Sequence, residues 1–253
     1  MAEPMIEARN LWKHYGDQVV LERLNLRVNE GEFITLVGTS GCGKSTFLKL
    51  LLGIETPSRG ELRLDGKPVR DEPDTDRGIV FQQYSVFPHL KVLDNVTVAR
   101  GFQHSRISGY LVGKARTSAI EEAKALLDRV GLGSALKRYP HELSGGMRQR
   151  LAIAQALIRH PRILLLDETF GALDPGIRAD MQQLVLELWR EQRLTAFMVT
   201  HDIREGFQLG TRLWVFDKVR HDPQAPEAYG ARITYDLPVG RRDDAVPPAP
   251  IAA

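Results

Sequence analysis

Gly38-Thr39-Ser40-Gly41-Cys42-Gly43-Lys44-Ser45-Thr46 follows an apolar run (Phe33, Ile34, Leu36, Val37) and precedes another at helical spacing (Phe47, Leu48, Leu50, Leu51, Leu52). A glycine, four residues and then Gly43-Lys44-Ser45, set between a strand and a helix, is the pattern of a phosphate-binding loop. Its glycines let successive backbone N–H groups turn toward one anion, and the helix N-terminus adds the positive end of its dipole. Lys44 supplies a mobile point charge for the β- and γ-phosphate oxygens, and the Ser45 hydroxyl is a hard oxygen ligand suited to Mg²⁺. The segment is expected to hold a nucleoside triphosphate.

Around this loop the apolar pattern is that of an α/β protein. Phe33 to Val37, Ile79 to Phe81, Ile163 to Leu166 and Ala196 to Val199 are short continuous apolar runs separated by helical segments, as in a parallel sheet covered on both faces. The first 30 or so residues instead alternate with period two, as in Leu24-Asn25-Leu26-Arg27-Val28, with a turn near Gly16-Asp17. Glu61 to Leu64 ends at the hairpin signal Asp65-Gly66, so this region reads as antiparallel. From about Leu90 to Pro161 the pattern is helical. Ala119, Ile120, Ala123, Leu126, Leu127 and Val130 share one face and stop at Gly131, a suitable glycine just past a helix end. Asp174 as N-cap and Pro175 at the first helical position open a further helix, with Ile177, Met181, Leu184, Val185 and Leu188 on its core face. One more strand is expected at Arg232 to Asp236, and the proline- and alanine-rich Pro238 to Ala253 as a disordered tail. Ser105 to Lys114 and Lys218 to Gly230 carry no readable pattern.

At 253 residues the chain can bury a full core. Charge is nearly balanced, 34 basic against 32 acidic residues, with no block of one sign to mark a nucleic-acid partner. Cys42 is the only cysteine, so an intrachain disulfide is excluded, in keeping with a reducing cytosol. The N-terminus lacks the basic-then-apolar pattern of a signal peptide, and no apolar stretch approaches the roughly 18 to 20 residues that span a bilayer. A membrane role would have to come through a partner.

Two further segments carry chemistry. Ile163 to Leu166 runs into Asp167-Glu168, which places two carboxylates at the C-terminal end of a buried strand, where ligands of open α/β sheets collect. Asp167 is placed to join the Mg²⁺ shell and Glu168 to polarise a water attacking the γ-phosphorus. Leu143 to Arg150 reads Leu-Ser-Gly-Gly-Met-Arg-Gln-Arg. Ser144 is a natural N-cap for a helix carrying Leu151, Ala154, Leu157 and Ile158, and Gly145 and Gly146 leave its first-turn amides bare for a phosphate.

Taken together these residues resemble the ATP-binding-cassette family over about Ile6 to Phe216. The resemblance implies a P-loop NTPase core with a mainly parallel sheet, an N-terminal antiparallel β subdomain and a helical subdomain. One ATPase domain would then cover residues 1–237, with the helical part inserted at about 90–161. It also implies a head-to-tail homodimer in which each of two ATP molecules lies between Gly38–Thr46 of one subunit and Ser144, Gly145 and Gly146 of the other. Gln82 resembles the Q-loop glutamine that senses Mg²⁺ and the attacking water, and Gly171 to Asp174 the D-loop that crosses the dimer. His201 resembles the switch histidine on the γ-phosphate, and Tyr15 the aromatic on which adenine stacks. Catalysis would then rest on Glu168, His201, Lys44 and Gln82, with Ser45, Gln82 and Asp167 around Mg²⁺. Met147 stands where the signature motif has glutamine. Thr169 replaces a common proline, which loosens the backbone there. Gly206 sits in the helix after His201, where it costs about 1 kcal/mol relative to alanine and would ease a switch motion.

Among the family's branches the chain is similar to the ATPase subunits of bacterial nitrate, sulfonate and taurine importers, whose Phe-Gly-Ala-Leu-Asp-Pro wording recurs at Phe170 to Pro175. The implied partners are a second copy, two transmembrane permease subunits docking near Gln82 to Asn95, and indirectly a solute-binding protein. The implied place is the cytoplasmic, inner face of the cell membrane. The alternative, a soluble cassette ATPase acting on nucleic acid or ribosomes, would carry paired cassettes or a long coiled coil between loop and signature. Neither is present here.

Overall fold

Alternating burial builds the first two strands, β1 (Ile6–Tyr15) and β2 (Gln18–Val28), which pair antiparallel around a turn at Gly16-Asp17. The computed structural model describes residues 3–72, 74–81, 86–102, 111–220, 224–225 and 227–239. Next come β3 (Phe33–Gly38), α1 (Lys44–Leu52), β4 (Arg59–Leu64) and the short β5 (Lys67–Pro68). They are followed by β6 (Arg77–Val80), α2 (Val92–Gly101), α3 (Gly113–Arg129), α4 (Gly145–Leu157), β7 (Ile163–Asp167) and α5 (Pro175–Gln192). The last elements are β8 (Thr195–Val199), α6 (Ile203–Leu209), β9 (Arg212–Asp217) and β10 (Arg232–Pro238). The chain divides into two compact units, residues 1–74 with 189–253, and residues 75–188.

In the first unit, β1 and β2 continue through β4 into β5 as an antiparallel sheet of order β2-β1-β4-β5. A second sheet is laid out as β10-β9-β3-β8, with β3 parallel to both β8 and β9 and with β10 antiparallel on β9. Every residue from Phe33 to Val37 is buried, which is why β3 is a continuous apolar run rather than an alternating one. Phe47 of α1 lies against Phe197, Trp214 and Phe216, with ring centroids 5.8 to 6.1 Å apart, a packing of α1 onto the sheet that fixes the loop before it.

Two ion-pair clusters tie the first unit together. Arg212, 3 % exposed, donates to both Asp236 oxygens (2.6 and 2.5 Å), to Glu32 (3.0 Å) and to the Arg27 carbonyl (2.8 Å). Burial alone would lower the Arg212 pKa, but the carboxylates of Asp236 and Glu32 outweigh it and hold the guanidinium above its ordinary value. Glu22, 1 % exposed on β2, meets Arg220, Arg232 and the Gly230 N–H, so the otherwise patternless segment after β9 is pinned to β2. Pro238, expected to open the tail, instead ends β10, and the Val239 N–H bonds the Thr211 carbonyl at 2.8 Å. The sheet needs those two residues; 240–253 lie outside the described residues.

In the second unit β6 and β7 are parallel, with Val80 opposite Leu166. Helix α3 ends with Val130 as C-cap and Gly131 at φ 76°, as its apolar spacing predicts. Asn95, fully buried on α2, organises the loop before that helix. Its Oδ1 accepts from the Phe87 N–H (2.7 Å) and from Gln155 Nε2 of α4 (3.0 Å). Its Nδ2 donates to the carbonyls of Phe87 (3.1 Å), Leu90 (2.9 Å) and Lys91 (3.0 Å). The amide therefore has a full set of partners, the condition under which a buried polar side chain stabilises rather than costs. Among the described residues no helix is long and apolar enough to cross a membrane.

Candidate active site

The loop from Gly38 to Thr46 leaves β3 and enters α1 through glycines at positive φ, 151° at Gly38, 78° at Gly41 and 83° at Gly43. Gly43 is the N-cap of α1 and has no room for a side chain: a Cβ would lie 2.6 Å from Leu21 Cδ2 and 3.2 Å from the Val20 carbonyl. The loop thus rests on β2. Thr39, Ser40 and Gly41 are exposed, and Cys42 is buried beneath them. Lys44, 4 % exposed, turns its ammonium onto the carbonyls of Gly38 (2.8 Å) and Thr39 (2.9 Å) and toward Cys42 Sγ (3.4 Å). A cation held at the loop's own mouth by two neutral acceptors can exchange them for phosphate oxygens, which bind an ammonium more strongly.

Tyr15 ends β1 and is 41 % exposed. Lys13 Nζ lies 4.9 Å from the centre of its ring. Burial first, then the hydrogen-bonded Glu55 carboxylate, raises the phenol pKa, while a hydrogen bond with Thr46 at the start of α1 acts the other way.

His201 is exposed on the turn between β8 and α6. Its neighbours fix that turn. The Thr200 hydroxyl accepts from the Asp202 N–H (3.1 Å) and donates to the buried Glu205 carboxylate. Asp202 caps α6 by accepting from the Arg204 N–H (2.8 Å) and the Glu205 N–H (3.4 Å). Gly206 has a packing reason in place of the expected easing of a switch: a Cβ there would stand 2.8 Å from Leu213 Cδ1 and 3.3 Å from Val37 Cγ1. Its carbonyl also accepts from Thr35 Oγ1 (3.0 Å), so α6 sits close on the sheet because residue 206 is bare.

In the second unit Asp167 is the last residue of β7, and Glu168 follows it with φ 49°, a left-handed backbone uncommon outside glycine. Proline at the next position favours an extended conformation in the residue before it, so Thr169 suits this turn better. Beyond it, Arg178 of α5 reaches the carbonyls of Gly171 (3.4 Å) and Leu173 (3.3 Å), and α5 starts at Pro175 directly after the exposed Asp174.

Ser144 is the N-cap of α4, its hydroxyl accepting from the Met147 N–H at 3.3 Å, and Leu151, Ala154, Leu157 and Ile158 are buried below it. Ser144 itself is exposed. Gly146 is buried, and a Cβ there would strike Ile177 Cγ2 at 2.6 Å. Because that methyl belongs to a stiff β-branched side chain on a helix, Gly146→Val is expected to destabilise the protein by about 1–3 kcal/mol. A lowered midpoint in urea unfolding at unchanged slope checks this.

The structure brings together Gly38, Thr39, Cys42 and Lys44; Asp167 and Glu168 are adjacent, as are Ser144 to Gly146. Gln82 lies outside the described residues. Sequence reasoning passed over Lys13 and Glu55, which are distant in the chain, Arg178, whose partners are backbone carbonyls, and Thr200 and Glu205, which pair across one turn. It also left β9 unnamed, although Leu213 to Phe216 is an apolar run like the others.

The profile of the family described as "ABC transporter" matches residues 21–171. The aliphatic sulfonates import ATP-binding protein of Agrobacterium fabrum is 41 % identical over 212 residues, covering 84 % of this chain and 71 % of that protein. The nitrate import ATP-binding protein of Synechocystis is 38 % identical over 223 residues, covering 88 % and 78 %. Among solved structures, the dimeric form of a bacterial ABC transporter cassette superposes with a TM-score of 0.75 at 30 % identity, covering 93 % of this chain and 99 % of that one. The same cassette in a dimeric post-hydrolysis state with ADP and Pi gives a TM-score of 0.75 at 29 % identity.

Proposed function

The chain belongs to the ABC transporter family, and from that premise we propose that it is the ATP-hydrolysing nucleotide-binding subunit of an importer, working as a head-to-tail dimer that couples ATP binding and hydrolysis to solute transport. The observation that carries this reading is the buried Lys44 ammonium, held on the carbonyls of Gly38 and Thr39 inside a loop of positive-φ glycines. Such a loop gathers backbone N–H groups around an anion, and its lysine is already at the mouth.

In this reading Gly38 to Thr46 cradles the triphosphate of ATP, Tyr15 stacks on adenine, and Ser144, Gly145 and Gly146 of the other subunit close over the γ-phosphate, with Asp174 crossing the dimer. Glu168 takes the proton of the attacking water, and Lys44 and His201 stabilise the charge that develops on the transferred phosphoryl group. The donors Ser45, Gln82 and Asp167 are all oxygens, the set that Mg²⁺ prefers, and leave the rest of an octahedral shell to phosphate and water. When bound, Mg²⁺ would neutralise charge shared by the β- and γ-phosphates.

The ATPase domain runs through the end of β10 and Val239, and its helical insert, about 90–161, meets two permease subunits on the cytoplasmic side of the membrane. The loop that Asn95 holds from Phe87 to Lys91 supports this place of docking, since a docking surface must keep its shape. Relatives named for nitrate and for aliphatic sulfonates point to a small oxyanion or sulfonate as the solute.

Mixing two disabled variants tests the shared site. Lys44→Ala removes the loop cation and Ser144→Arg blocks the capped helix, so each alone should be inactive. A mixture forms heterodimers with one complete site and should recover phosphate release. If the mixture stays as inactive as its components, the two elements do not act across a dimer.

A further inference from the structure

We propose that Lys13 and Glu55 are positioning residues for the nucleobase: as a pair they lock the Tyr15 ring in the attitude on which adenine stacks. This rests on the reading of Tyr15 as the adenine platform.

The geometry is specific. Lys13 is 8 % exposed, and its ammonium meets the Glu55 carboxylate at 2.6 Å and the Thr56 carbonyl at 3.0 Å. The same ammonium stands 4.9 Å from the centre of the Tyr15 ring. Burial and then the nearby Glu55 carboxylate raise the Tyr15 phenol pKa, with Thr46 acting the other way. The Lys13 ammonium, opposed by burial and aided by Tyr15, holds the Glu55 carboxyl below its ordinary value, so it is ionised and acceptor-only at neutral pH.

The cation covers one face of the ring, which leaves the other for a base, and the Glu55 carboxylate holds that cation in place. An exposed tyrosine at a strand end would otherwise sample several rotamers, and ordering it on binding would cost free energy. Locking it beforehand removes that cost. The bland alternative is that Lys13 only stitches residues 55–58 to β1, alongside the Ser58 N–H to Trp12 carbonyl bond (2.8 Å) and the His14 N–H to Ser58 Oγ bond (3.0 Å). The two differ in what they do to a ligand without a base.

The test is calorimetric titration of the full chain with MgATP and with inorganic pyrophosphate, which engages the loop alone. Tyr15→Ala should weaken MgATP about 5- to 150-fold, the range of a lost base–aromatic stack, and leave pyrophosphate unchanged. Lys13→Met and Glu55→Gln should each weaken MgATP by about 3- to 10-fold, also with pyrophosphate unchanged, and should raise KM for ATP at constant kcat. Lys13→Arg should restore most of the affinity. Unchanged MgATP binding in Lys13→Met and Glu55→Gln, beside a weakened Tyr15→Ala, overturns the inference and spares the adenine platform. Equal losses for both ligands also overturn it, by showing a general scaffold role. If Tyr15→Ala itself binds MgATP normally, the platform reading fails and takes this inference with it.

Discussion

Glu168→Gln should cut ATP turnover by about 10²- to 10⁴-fold, the usual contribution of a positioned general base, while ATP stays bound and the dimer persists. Strand β7 buries its four aliphatic residues and delivers Asp167 and Glu168 at its C-terminal end. Glu168 holds a left-handed backbone at φ 49°, a sparsely populated conformation that often occurs at functional sites. Glutamine keeps the volume and one oxygen but cannot take a proton from water. Binding contacts are therefore retained while the chemical step stops. Steady-state phosphate release gives the rate, and light scattering with MgATP gives the mass. Turnover within about twofold of the unaltered protein would remove Glu168 from the mechanism.

Arg212→Met should cost about 3–5 kcal/mol of stability, the penalty for stripping one partner from a buried ionic cluster. The guanidinium is 3 % exposed and serves Asp236, Glu32 and the Arg27 carbonyl together. Methionine fills much of the volume but leaves two carboxylates facing each other without a cation. These groups lie in strands β10 and β2 and in the turn before β3, so the loss falls on the sheet that carries the phosphate loop. At this chain length the cost corresponds to a fall in Tm of roughly 6–20 °C. A double variant, Arg212→Met with Asp236→Leu, should recover part of it. A melting point within about 2 °C of the parent for Arg212→Met alone would show that the cluster contributes nothing net.

Features with a local cause were legible in the sequence. Gly131 after Val130 and Ser144 before Gly145 each mark a helix end because capping chemistry acts over a few residues, and each stands where the pattern puts it. The parallel strands were legible because burial on both faces leaves an unbroken apolar run. Long-range pairings were not. Nothing near Glu22 announces Arg220 and Arg232, and nothing near Lys13 announces Glu55, since an ion pair leaves no periodic trace in the chain. Gly206 was misjudged for a related reason: its cause is the crowding of Leu213 and Val37, which only the packed sheet reveals. The roles of Ser144, His201 and Asp174 came from resemblance to a family; their spacing alone gives a capped helix, an exposed turn and the start of another helix.

The pairing of β3 has a consequence for how the molecule is made. Phe33 aligns with Ala196 and Ile34 with Arg212, so both neighbours of the strand that launches the phosphate loop are translated long after it. While the polypeptide is emerging, that strand has no flanking partners, and only β2 underlies the loop. The sheet that carries the loop is thus completed only after β8 and β9 have been made. The same delay makes folding slow, because such remote contacts must close a long stretch of chain before they repay it.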